Sequence, residues 1–186
     1  MKESKIGHLR LDQALFTKLQ RKEEDAVLQL YDACFSILMN VVVRYKSNRE
    51  DQVTLVHNSF LKALDHLSDF TLGTSFVAWV KMILQREIID DYRRNKRRLG
   101  VIELNEPTDF GESFAFDEQL DVEVEIIQVK ELLSKLPPTT CLVFNLFLWD
   151  ELSPAEIAKQ LEISVDTVRW HIKMARKLIR QQIELT

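Results

Sequence analysis

The chain has 186 residues, 46% of them apolar and 29% charged, with a formal net charge of −4. That is apolar material for one ordinary domain or two small ones, and it excludes a chain disordered throughout. Four glycines and four prolines are too few for a turn-rich β protein, so an all-α fold is expected.

Cys34 and Cys141 each lie in an apolar helical pattern with no CxxC spacing and no histidine pair nearby. Buried free thiols are expected, with neither a metal nor a cofactor. No apolar run approaches the ~18 residues that span a bilayer. Met1 to Leu11 is too polar for a secretory core, so a cytoplasmic protein without membrane insertion is expected. Mild negative charge taken alone argues against a nucleic-acid partner, but the distribution of charge decides.

In chain order, Val27, Tyr31, Cys34, Phe35, Leu38, Met39, Val42 and Tyr45 recur at three- and four-residue steps, predicting a core helix from Glu24 to Tyr45. A second helix is read from Asp51 to Leu67 on Val53, Val56, Phe60, Leu64 and Leu67, before Asp69, Gly73 and Thr74 break the pattern. A third runs from Phe76 to Arg97, with Ser75 as its cap and Phe76, Trp79, Val80, Ile83, Ile88 and Tyr92 facing inward. It ends in the cluster Arg93, Arg94, Lys96, Arg97 and Arg98, after which Glu103 to Glu125 is acidic and holds Pro107 and Gly111. This sign change marks a boundary: a first domain over 1–98, an acidic linker over 99–121, and a second domain over 122–186.

The second domain is expected to open with a helix from Val122 to Lys135 and to continue after Pro137-Pro138 with one from Thr139 to Trp149. Ser153, Pro154 and Glu156 then spell a capping box for a short helix through Leu161. Ser164 opens the last helix, with Asp166 in its first turn and Val168, Ile172, Ala175 and Ile179 on its apolar side. Two helices separated by only Glu162 to Ser164 must cross steeply, as in a helix-turn-helix. The outward face of the second carries Arg169, Lys173, Arg176, Lys177 and Arg180, a cationic stripe suited to phosphates and guanine edges.

Leu136 to Ile183, and above all Ser153-Pro154-Ala155-Glu156-Ile157-Ala158 with Ser164-Val165-Asp166-Thr167-Val168, resembles the fourth region of sigma-70 family factors. LuxR-type regulators carry a similar helix-turn-helix, so the first half decides. There Phe76, Trp79, Val80, Ile83, Ile89, Asp90, Tyr92, Arg93 and Arg94 keep the order and spacing of the second region of extracytoplasmic-function (ECF) sigma factors. Leu55-Val56 and Phe60-Leu61-Lys62 match the helix before it.

The resemblance implies two small helical domains, a region 2-like bundle and a region 4-like helix-turn-helix, in a factor that directs bacterial RNA polymerase core to promoter DNA. Thr54, Leu55, His57, Asn58 and Phe60 would dock on the polymerase. Phe70, Thr71, Gly73, Thr74, Lys81, Arg86, Arg93, Arg94 and Arg97 would handle the minus-ten element. Ser164, Asp166, Thr167, Arg169, Trp170, Lys173, Arg176 and Lys177 would read the minus-thirty-five element. An anti-sigma protein is a further partner that the family implies.

The chain departs from the family at His57 and Asn58, where glutamine and an acid are usual, and at Arg86, where asparagine is. Glu162 stands where glycine is common in the tight turn, and a left-handed conformation there would cost a residue with a Cβ about 1 kcal/mol or more, so a locally different turn is expected.

Trp79 reads as core, while Trp170 fits either a DNA contact or packing within its own domain. His57, Asp90, Asp91 and His171 are of types that serve catalysis, but they lie in separate helices without a catalytic spacing. No Gly-rich phosphate loop, HExxH or nucleophile motif is present, so no enzymatic activity is expected. The alternative function is a stand-alone helix-turn-helix regulator that needs no polymerase core.

Overall fold

A computed structural model of the chain describes residues 11–98, 132–133 and 135–184. The acidic linker over 99–121 and most of the helix expected over 122–135 lie outside the described residues. Every regular element among the described residues is helical: α1 (Gln13–Gln20), α2 (Glu24–Val42), α3 (Arg49–Asp65), a 3₁₀ turn (Leu67–Asp69), α4 (Phe76–Arg98), α5 (Pro138–Leu148), α6 (Pro154–Leu161) and α7 (Val165–Glu184). The chain divides into two compact units, Met1–Tyr92 and Arg93–Thr186, a division that falls in the last turns of α4.

In the first unit, α2 packs against α1 and α3. Its buried stripe is Ala26, Leu30, Cys34, Leu38 and Val42, each no more than 3% exposed. That stripe is rotated from the expected one: Val27, Tyr31, Phe35 and Tyr45 are half-buried at its border. The helix is apolar on several sides, with a mean hydropathy of 1.3 over an 18-residue window, so periodicity fixes its centre poorly. By length and composition alone α2 would suffice to cross a membrane, contrary to the expectation that no such run exists. Glu24, Asp25 and Asp32 on its exposed surface and the α3 packing behind its stripe are those of a core helix. It stops short of Tyr45 because the chain tightens there, the Arg44 and Tyr45 amides donating to Val41 and Val42 three residues back.

Asn48 starts α3, its side-chain oxygen accepting from the amides of Glu50 and Asp51 at 2.7 and 3.3 Å. The helix buries Leu55, Val56, Phe60 and Ala63. Two ion pairs one helical turn apart tie α4 down: Lys62 of α3 to Glu87, and Lys46 to Asp91 at 2.6 Å. The Glu87 side chain is only 6% exposed, so removing that partner would leave a buried carboxylate uncompensated. Along α4 the fully inward residues are Phe76, Val80 and Leu84, whereas Trp79, Ile83 and Tyr92 lie at the margin.

The second unit is held by α5 and α6, both packed against α7. Val143, Leu146, Ile157, Val168, Ile172 and Ala175 are wholly buried, and Leu133, Leu136 and Phe144 form a cluster with Ala175. Cys34 and Cys141 are free thiols. Burial pushes each up to about 11, the Cys141 value being opposed by a hydrogen bond from Asn145, so neither is a thiolate nucleophile at neutral pH.

The expected capping box is present: the Ser153 Oγ accepts from the Glu156 amide at 3.3 Å. In return the Glu156 carboxylate accepts from the Ser153 hydroxyl and amide at 2.7 and 2.9 Å. Those two bonds hold the Glu156 carboxyl below its ordinary value. A depressed folded-state pKa stabilises the fold above the unfolded value, and the contribution disappears as pH falls through the folded one. Ser153→Ala is expected to cost about 1 kcal/mol, chiefly through the lost cap bond from the Glu156 amide to Ser153 Oγ. On acidification from roughly pH 6 to 3 the gap between the melting curves of wild type and variant, followed by circular dichroism, should narrow without closing, because the cap bond does not titrate. A gap that stays constant would contradict the role of the ionised carboxylate.

Glu162 ends α6 with φ 57° and ψ 45°, so the turn keeps the left-handed conformation without a glycine. The local difference expected from sequence is absent. The second unit sustains the strain of about 1 kcal/mol because α6 and α7 are each packed and capped on either side of that residue.

Candidate nucleic-acid interface

The last helix begins with a hydroxyl cap: Ser164 Oγ accepts from the Thr167 amide at 3.0 Å and lies 2.8 Å from the Thr167 hydroxyl. Thr167, Val168, His171, Ile172 and Ala175 then face the core. What remains outward is one stripe at three- and four-residue steps, Asp166, Arg169, Lys173, Lys177 and Arg180. Arg169 Nη1 pairs with Asp166 Oδ1 at 3.3 Å. Phosphate binding draws on clustered cations, and this stripe gathers four of them on one exposed helix face.

Two residues expected among the DNA contacts do not sit on that stripe. Thr167 is only 5% exposed, its hydroxyl engaged with Ser164, because position 167 falls beside Val168 on the buried side. Arg176 is half-buried, its guanidinium 5.9 Å from the centre of the Phe147 ring, a cation–π contact within the unit. Arg180, which sequence reasoning placed on the face but not among the contacts, is exposed in line with Lys173 and Lys177. Its i+3 spacing from Lys177 was the available signal.

Trp170 is half-buried with its ring edge-on to His171, centroids 4.9 Å apart. His171 is 6% exposed, and its Nδ1 shares a hydrogen bond of 3.0 Å with the buried Thr140 hydroxyl. This histidine serves packing between α5 and α7. Among the described residues no cluster of three or more His, Cys, Asp or Glu could hold a metal.

In the first unit Thr54, His57 and Asn58 form an exposed face of α3. Leu55 and Phe60, expected beside them as contacts, are core residues at 5% and 3% exposure, because their positions fall on the side turned towards α2. His57 lies over an aromatic group, 5.5 Å from the Tyr31 ring and 6.4 Å from Phe35, with Phe60 edge-on to Tyr31 beneath. Burial, with Asp32 beside it, raises the Tyr31 hydroxyl above its ordinary value.

The loop before α4 exposes Thr71, Gly73 and Thr74. The Thr74 hydroxyl donates to the Thr71 carbonyl at 2.7 Å, and Gly73 sits at φ +91°, where a side chain would be strained. Phe70 is not part of the loop's edge: it is 5% exposed and packs on Phe76 and Trp79, both at 5.4 Å between centroids. It anchors the loop from below. Lys81 and Arg86 are exposed on α4 but about 140° apart around it, so one flat surface does not engage both equally. Further along, Arg93 is half-buried and Arg94 exposed, while the Arg97 side chain lies outside the described residues.

Known proteins match both halves. The family model for sigma-70 region 2 matches residues 30–98, and that for sigma-70 region 4 matches residues 126–179. The ECF RNA polymerase sigma factor SigW of Bacillus subtilis (strain 168) is 23% identical over 174 residues, covering 89% of this chain and 93% of SigW. The RNA polymerase sigma factor YlaC of the same organism is 26% identical over 163 residues, covering 87% and 94%. The solved sigma factor RpoE, in complex with the anti-sigma factor NepR from Bartonella quintana, aligns with a TM-score of 0.49 at 19% identity over 90% of this chain and 98% of that one. Two region models in order along one chain, with relatives matched over almost their whole length, establish that the chain belongs to the sigma-70 family and is a promoter-directing RNA polymerase sigma factor of the ECF kind.

Proposed function

We propose that two domains, 1–98 and 122–186, divide the promoter between them. The exposed stripe Arg169, Lys173, Lys177 and Arg180 of α7, led by Asp166, reads the minus-thirty-five element, and this cationic stripe is the observation that carries the reading. The loop Thr71 to Thr74 and the basic end of α4 engage the minus-ten element, with Arg93, Arg94 and Arg97 meeting phosphates as the strands separate. Thr54, His57 and Asn58 dock on the polymerase core. The domains extend over 1–98 and 122–186, and the acidic stretch 99–121 connects them. All bond-making is done by the polymerase, and the chain works in the cytoplasm, where the polymerase is. An anti-sigma protein is a further partner, as the family resemblance implies.

The test separates a sigma factor from a stand-alone regulator. Purified chain is added to bacterial core polymerase lacking sigma, and co-elution by size exclusion is followed by binding to promoter fragments with and without core. A stable complex with core, and specific DNA binding only in its presence, is the expected result. Specific binding by the free chain without any complex with core overturns the proposal.

A further inference from the structure

Arg169 does not stand alone on the exposed stripe. Asp166, one turn earlier, holds its Nη1 at 3.3 Å, and both side chains are more than half exposed. A negative residue at that point runs against the charge of a face that otherwise carries Lys173, Lys177 and Arg180. Its backbone is fixed on both sides, by the Ser164 cap before it and by Thr167, packed inward, after it.

We infer that Asp166 is a positioning residue that fixes the guanidinium of Arg169 for base readout and so sets the base preference of the upstream contact. The inference rests on the reading of α7 as the helix that enters the groove. An unrestrained arginine on a helix surface can swing to the nearest phosphate, which carries no sequence information. With Nη1 held by the carboxylate, the rest of the fork is left to approach a base edge, and guanine offers the matching pair of acceptors at O6 and N7. The carboxylate adds selectivity of its own, since it can only accept. It suits the N4 amine of cytosine or the N6 amine of adenine, and it repels O4, O6 or phosphate oxygens placed against it. The pair therefore rewards a guanine at one position and penalises an acceptor at the neighbouring one.

Holoenzyme made with core polymerase and each of wild type, Asp166→Ala, Asp166→Glu and Arg169→Ala is challenged with promoters randomised over the upstream element, and bound sequences are counted. Circular dichroism at the assay temperature checks that each variant is folded. Asp166→Ala and Arg169→Ala should lose preference at the same base pair, by about tenfold each. Asp166→Glu should restore it in part. Affinity of Asp166→Ala for scrambled DNA should not fall, because only a negative charge has gone, whereas that of Arg169→Ala should. If Asp166→Ala keeps the preference that Arg169→Ala loses, or weakens all sequences equally, the positioning role is overturned and the groove assignment stands. If Arg169→Ala also keeps the wild-type preference, both are overturned.

Discussion

Replacing Arg169, Lys173 and Lys177 together by alanine is expected to weaken holoenzyme binding to the upstream element by about 3–5 kcal/mol, on the order of a thousandfold at ~0.1 M salt. Each of the three is exposed on one face of α7, and none supports the core of its unit, so the fold should survive the loss. Their contributions differ in kind. The two lysines act as compact charges on phosphates, and their removal should weaken all sequences alike. Arg169 carries base discrimination in addition. With three fewer counterion-releasing contacts, the slope of log affinity against log salt should flatten by about 2–3. Filter binding across a salt series measures both quantities. A variant that binds with the wild-type slope would place the DNA elsewhere on the second unit.

The second large effect concerns the first unit. Lys62→Met keeps most of the side-chain stem but strips the cation from Glu87, whose carboxylate remains buried between α3 and α4. Leaving one member of a buried pair without its partner typically costs 3–5 kcal/mol. Lys62 itself is half exposed, so a loss of about 3 kcal/mol is expected here. Adding Glu87→Gln should recover most of it, because the neutral amide no longer brings an uncompensated charge into the interface. Urea dependence of hydrogen exchange at the amides of α3 and α4 provides the measurement. A loss below about 1 kcal/mol in the single variant would mean that water reaches the carboxylate and that the pair does not anchor α4.

These two expectations draw on different amounts of sequence information. The stripe on α7 was readable from spacing because its buried residues are apolar and its outward residues charged, and because Ser164 announces where the helix begins. Even so, polarity misleads at the borders. Thr167 is polar yet turned inward to satisfy the cap, and Arg176 is charged yet laid over Phe147. A wheel drawn from residue type assigns both to solvent, and only packing reveals otherwise.

The short helix α1 gives the periodicity too little to work with: eight residues with Phe16 and Leu19 as its buried pair, although its Asp12 cap follows the ordinary rule. The Lys62–Glu87 pair spans 25 positions and has no local signature at all. Glu162 shows the opposite limit. Residue preference argued for a changed turn, and the packing of α6 and α7 outweighed a strain of about 1 kcal/mol. In the first unit Leu55, Phe60 and Phe70 illustrate how motif matching mixes the residues that shape a surface with those that touch a partner.

The most direct test of the account is transcription itself. Core polymerase lacking sigma is mixed with the purified chain and fragmented genomic DNA, and the 5′ ends of new transcripts are mapped. Discrete starts preceded by a shared pair of upstream elements are expected, dependent on the chain and abolished by the Arg169, Lys173 and Lys177 replacement. Starts no more frequent or more specific than with core alone would contradict this expectation.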